Sequence, residues 1–263
     1  WVPVRHHLLT PHDGGQVRAL DGGKFRAVFL PYSTGGIETY RVRQAAPSRG
    51  PMLAVAPFAP RGDAFRQVRL AHPGGAAPIE LAFPARLSVN APWPADPKVS
   101  GVANGGWQQS EGGSWWFEET RGAIKVGGRV TPMEGEAELE FWIANSGPDP
   151  VLAEGYLGWR PAFDFDPASA VVQRGDAWTP LADGPAHQDA DDLVLVRHGN
   201  AWVGVLWETD LNTATLLDDA GQAPKARRER EIEAGRRYHA RGKVVFAEGA
   251  SRDEAAKRLR LGL

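Results

Sequence analysis

Between Glu154 and Asp166 the chain reads EGYLGWRPAFDFD, setting Arg160, Asp164 and Asp166 among Tyr156, Trp159, Phe163 and Phe165. On an extended segment Arg160, Asp164 and Asp166 share one side, because side chains alternate across a strand. A guanidinium there can grip a carboxylate or vicinal hydroxyls through two parallel hydrogen bonds, as a uronic acid or another glycan would require. Charges among so many rings are costly unless they are paired or used. Arg160, Asp164 and Asp166 are therefore read either as a substrate clamp or as an ion pair at the edge of a sheet.

A second concentration of chemistry is GGWQQSEGGSWWFEETRG at 105–122. Alternation puts Trp116, Glu118 and Thr120 on one face and Trp115, Phe117 and Glu119 on the other. One face belongs to a core. The other then presents an indole beside a carboxylate, an arrangement that stacks on a sugar ring and accepts its hydroxyl protons. Burial beside indole also lifts a carboxyl toward neutrality, which makes Glu118 and Glu119 candidate acid/base groups. The competing reading is a hairpin whose glutamates face water. Trp107, Trp116 and Trp159 are the stacking candidates.

His198 and His239 qualify as acid/base groups because imidazole titrates near neutrality. Tyr238 precedes His239, but adjacent strand residues point to opposite faces and cannot line one cleft without a bulge. In AHQDADD the set His187, Asp189 and Asp191, followed by Asp192, offers an imidazole and carboxylate oxygens to a divalent ion. No glycine sits where a calcium loop would turn, so no cofactor is expected, with that divalent site as the one exception.

The elements that must position these residues are mostly strands. Runs at 24–33, 37–44, 65–72, 78–90, 113–120, 123–131, 136–145, 151–159, 192–199, 201–209 and 237–249 alternate apolar with polar residues or run apolar. Thirty-one glycines and twenty-one prolines punctuate them at the short spacing of an antiparallel sandwich. HGNAW at 198–202 predicts a tight hairpin turn. Ser251 with Glu254 three residues on is a capping box, and it predicts a helix over about 251–262. The charged run 225–237 reads as a short helix or a solvated loop. No linker or repeat divides the chain, so the expectation is one all-β domain over 1–263, an antiparallel β-sandwich with a short C-terminal helix.

The totals exclude several classes. With 30 Lys and Arg against 32 Asp and Glu, the chain carries no electrostatic footprint for nucleic acid. Its apolar runs are too short to cross a bilayer, so no membrane insertion is expected. The absence of cysteine removes disulfides, thiolate nucleophiles and zinc-thiolate sites. There is no G-x-S-x-G, P-loop, dinucleotide fingerprint or H-E-x-x-H. The chain opens on Trp1 without an initiator Met, which suggests a processed or trimmed chain and a secreted or periplasmic location.

The segment FWIANSGPDPVLAEGYLGWRPAFDF at 141–165 resembles the galactose-mutarotase-like supersandwich family. Asn145, Gly147, Pro150, Gly158, Trp159, Pro161 and Phe163 match that family's layout of a strand ending in Asn, an N-x-G-x-x-P turn and a GWHPYF-like motif. GVLWETD at 204–210 resembles the late strand that carries the catalytic glutamate of sugar mutarotases, a role that would fall to Glu208. EIEAGRRYHARGKVVF at 231–246 is similar to the final strand of these folds. The resemblance implies a supersandwich-like scaffold and a carbohydrate or polysaccharide partner. It also implies a general-acid histidine where this sequence has Arg160, a side chain that stays charged and is a poor proton donor.

The expected function is thus a carbohydrate-active enzyme using acid/base chemistry, as a glycoside hydrolase or a β-eliminating polysaccharide lyase. Glu208, Glu118, Glu119 and His198 are the proton-transfer candidates, and Arg160 is the clamp. The alternatives are a non-catalytic carbohydrate-binding module and an epimerase-like enzyme with a different acid.

Overall fold

The computed structural model describes residues 17–20, 25–28, 42–44, 52–59, 65–73, 78–93, 104–110, 113–162, 169–181, 193–208, 215–216 and 229–261. The chain divides into two compact units, 1–49 and 50–263, where the sequence led us to expect one domain over 1–263. In the first unit, β1 (Val17–Leu20), β2 (Phe25–Val28) and β3 (Val42–Gln44) form an antiparallel three-stranded sheet.

The second unit is a β-sandwich. Among the described residues one sheet has seven strands: β4 (Ala54–Phe58), β5 (Gln67–Ala71), β6 (Ile79–Val89), β7 (Ala91–Pro92), β12 (Val151–Pro161), β17 (Thr215–Leu216) and β18 (Glu229–Ile232). The other has nine: β8 (Gln108–Gln109), β9 (Trp115–Arg121), β10 (Ile124–Pro132), β11 (Glu136–Asn145), β13 (Ala170–Arg174), β14 (Ala177–Pro180), β15 (Leu193–His198), β16 (Ala201–Glu208) and β19 (Arg237–Glu248). Its strand order is β14-β13-β15-β16-β19-β11-β10-β9-β8, and every pairing within it is antiparallel.

The two sheets meet over one core because each strand buries alternate residues. Val68, Leu81 and Trp159 stand in register on the seven-stranded sheet, and Phe117, Phe141, Val205 and Trp207 face them from the nine-stranded one. Edge-on ring contacts join the two layers, with Phe83 5.3 Å from Trp207 and 5.6 Å from Trp107.

On its outer side the nine-stranded sheet has two parts. Leu193, Leu195, Val245 and Ala247 lie beneath α1 (Arg252–Arg260), which covers them with Ala255, Ala256 and Leu259. Ser251 caps that helix by accepting from the Glu254 amide, as the S-x-x-E signature predicts. Lys243 donates to the carbonyls of Arg258 and Leu261, fastening the helix C-terminus to β19. The rest of this outer side carries charge.

Within the run 225–237 the structure has a strand, β18, followed by a turn at Ala234–Gly235. β18 pairs with β12 at Val151–Glu154, and that ladder overrides the helical preference of a Glu/Arg-rich segment. No helix among the described residues is long and apolar enough to cross a membrane.

Candidate functional site

The outer side of the nine-stranded sheet brings together residues from five neighbouring strands. Register places Trp116 of β9 beside Arg129 of β10, Arg129 beside Glu140 of β11, Glu140 beside Arg241 of β19, and Arg241 beside Glu208 of β16. Four strand spacings separate the ends of this row, about 19 Å. The next row holds Glu118, Gly127, Trp142 and His239.

The charges in the row are paired to different degrees. Arg241 Nη2 donates to Glu208 Oε2 at 2.5 Å, and both side chains are well exposed. Arg129 Nη1 lies 3.4 Å from Glu140 Oε2, with the two side chains only 6% and 16% exposed. That nitrogen makes no hydrogen bond, and neither does His239 Nε2. Lys125 Nζ sits 3.0 Å from Glu118 Oε1 at the margin.

Burial raises the pKa of Glu140; the Arg129 charge opposes the shift and Glu138 adds to it. Burial likewise lowers that of Arg129, against the pull of Glu140. His239 is held down to about 4, first by burial and then by the charges of Arg237, Arg241 and Arg129, with Glu208 acting the other way. At neutral pH it is a neutral imidazole facing three guanidiniums.

Gly127 makes room for the indole beside this patch. A Cβ there would fall 2.2 Å from Trp142 Cζ2, so the ring lies flat over the bare backbone. The Arg237 guanidinium stacks on that ring, 4.8 Å from its centroid.

The sequence candidates divide between the two sheets. Glu208, Glu118 and Trp116 all lie on this outer side, as the alternation at 115–120 predicts. Glu119 points the other way. It accepts from Arg66 at 3.0 Å and from the Trp93 indole at 3.1 Å, and it pairs with Arg121 at 2.6 Å. His198 closes the β15–β16 hairpin on the core-facing side, seven residues along β16 from the position of Glu208.

Arg160 lies on the other sheet and faces away from the core. Its Nε and Nη2 both donate to Glu80 Oε2, at 2.8 and 2.6 Å, while Arg69 donates to Glu80 Oε1 at 2.5 Å. Burial raises the Glu80 carboxyl, but hydrogen bonds and charge from Arg69 and Arg160 outweigh it, leaving its pKa below the ordinary value. Of the two sequence readings of Arg160, this geometry matches the ion pair. Arg160 and Glu208 stand on opposite outer sides of the sandwich and cannot touch one ligand.

Two stacking candidates need correction. Trp159 is fully buried, and Trp107 packs 4.9 Å from Phe117 in the core. Neither face is available to a sugar, because strand parity that turns Arg160 outward turns Trp159 inward. Asp164, Asp166, His187, Asp189 and Asp191 lie outside the described residues. Among the described residues no group of three or more His, Asp and Glu could hold a metal ion.

Arg129, Glu140, Trp142, Arg237 and Arg241 were missed as site residues from the sequence. A signal existed in EAELEFW, where Glu136, Glu138, Glu140 and Trp142 recur every second position, and in RYHARGK, where Arg237, His239, Arg241 and Lys243 do the same. Two strands with one charged face each, of opposite sign, were candidates to pair.

No protein-family model matches the chain, and no curated protein does. Among solved structures the chain is similar to a galactose mutarotase related enzyme from Lactobacillus acidophilus, at 9% identity and a TM-score of 0.37, over 76% of this chain and 99% of that one. It is a distant likeness of backbone.

Proposed function

We propose that this protein is a carbohydrate-active enzyme whose ligand lies along the outer side of the nine-stranded sheet, across Trp116, Arg129, Glu140, Arg241 and Glu208. The observation that carries this reading is the cross-strand row itself. A half-buried indole is continued by alternating guanidiniums and carboxylates, and hydrogen-bonding capacity is left unspent at Arg129 and His239. Sugars ask for that mixture: an aromatic face for the C–H side of the ring and planar polar groups for its hydroxyls.

In this reading Glu140, with its raised pKa, donates a proton, and Glu208 accepts one. Their backbones are two strand spacings apart, about 10 Å, with Arg241 between them holding the Glu208 carboxyl in place. His239 stays neutral and offers its ring nitrogen to a hydroxyl. A polysaccharide ligand would accord with a secreted or periplasmic location.

A glycan panel with product analysis tests this. New reducing ends indicate hydrolysis, and absorbance of unsaturated uronides indicates elimination. Turnover should fall about a hundredfold or more in Glu140→Gln and in Glu208→Gln while glycan binding persists. Binding without turnover in the unaltered protein would leave a carbohydrate-binding module in place of an enzyme. Absence of any glycan binding would overturn the reading as a whole.

A further inference from the structure

We infer that Gln108 and Trp116 form a distal subsite for an uncharged sugar unit, so that the ligand is an oligosaccharide chain lying across the strands. The inference rests on the carbohydrate reading above and adds the substrate class.

The row on the outer side of the nine-stranded sheet does not end at Trp116. β8 pairs with β9 so that Gln108 stands directly opposite Trp116, which puts both side chains on that outer side. Gln108 is exposed and Trp116 half-buried. Among the described residues neither the Gln108 amide nor the Trp116 indole N–H has a hydrogen-bond partner. Nor is a guanidinium stacked on the Trp116 ring, whereas Trp142 and Trp178 on the same side of the sheet carry Arg237 and Arg252. An uncovered indole and a free amide therefore stand side by side.

The charges nearest this end are spent on one another. Lys125 lies 3.0 Å from Glu118, and Arg129 is paired with Glu140. On the other flank the Ser114 hydroxyl donates to that of Thr131 at 3.1 Å. A carboxylate or ammonium on the sugar would find no unpaired counter-charge among the described residues here, and its desolvation would go uncompensated. Hydroxyls suit the amide, which both donates and accepts, and the C–H face of a pyranose suits the indole.

The reach of the row sets the length of the chain. Five strand spacings separate Gln108 from Glu208, about 24 Å, and one spacing is close to the length of a pyranose unit in an extended glycan. Trp116 stands three spacings from Arg241, which lies between Glu140 and Glu208. A disaccharide placed at Arg241 does not reach Trp116 or Gln108; a chain of about five or six units does.

The test is calorimetric titration of the full chain with gluco-, manno- and xylo-hexaoses, with the corresponding disaccharides, and with hexagalacturonate. A neutral hexaose should bind at least about tenfold more tightly than its disaccharide and more tightly than hexagalacturonate. Gln108→Ala, at an exposed edge position, should weaken hexaose binding about three- to tenfold, with disaccharide binding and the urea unfolding midpoint unchanged. The chain-length comparison in the unaltered protein needs no substitution. Equal affinity for hexaose and disaccharide, preference for hexagalacturonate, or hexaose binding unmoved by Gln108→Ala would overturn the subsite and leave the carbohydrate reading standing. Binding of none of these sugars would overturn both.

Discussion

His239→Gln should make the protein more resistant to acid, by an amount the structure sets. The native imidazole titrates at about 4 instead of 6.5, because burial and the charges of Arg237, Arg241 and Arg129 disfavour its protonated form. A group whose folded pKa is depressed in this way costs stability as pH falls. The unfolded chain binds a proton below about pH 6.5, while the folded one refuses it until about pH 4. The loss should reach ~2 kcal/mol at pH 5 and ~3 kcal/mol near pH 4, and vanish above about pH 7.5. Glutamine keeps a polar group of similar reach and does not titrate. Urea unfolding of both proteins between about pH 7.5 and 4 isolates the effect, because Glu80 and Glu140 titrate alike in each. The stability difference should shift in favour of the variant by the stated amounts as pH falls. Parallel stability curves over that range would refute the burial of His239 beside Arg237, Arg241 and Arg129.

Gly127→Ala should destabilise the protein by about 3 kcal/mol, read by urea unfolding, because its Cβ would fall 2.2 Å from a Trp142 ring held by Arg237. Glu80→Gln should cost about 2 kcal/mol by leaving Arg69 and Arg160 without their shared carboxylate, yet leave glycan affinity unchanged, since that cluster lies on the opposite side of the sandwich. Asn145→Ala should cost about 2–4 kcal/mol, measured the same way: its amide donates to the carbonyls of Asp149, Ile232 and Glu233 and accepts from the Gly147 amide. Trp116→Ala should weaken glycan binding about fivefold by calorimetry with unfolding midpoints little changed.

Asn145 explains why the segment at 141–165 is legible. An Asn at the end of β11, with Gly147 two residues on, closes the 145–150 turn and ties it to the end of β18, so the residue types are dictated by one local geometry. The Ser251 cap and the alternation at Trp115–Thr120 are legible for the same reason, since both depend on residues within a few positions of each other. Arg160 is the opposite case. Its motif context suggested a clamp, but its partner is Glu80, eighty residues away in sequence and adjacent only through the β6–β12 ladder. Glu119 likewise reads as a free carboxylate until Arg66 and Trp93 are brought against it.

The sequence by itself determines which residues of a strand share a face, because alternation is a property of the extended backbone. That alone separates Trp116 and Glu118 from Phe117 and Glu119, and Tyr238 from His239. Which faces become neighbours is decided only by the tertiary structure. The row from Trp116 to Glu208 joins β9, β10, β11, β19 and β16, and two of its four junctions pair strands remote in sequence. Strand order and register place Glu140 beside Arg129 and Arg241, bury it, and so move its proton affinity; no local pattern holds that information, because the energy lies between chain segments and not within one.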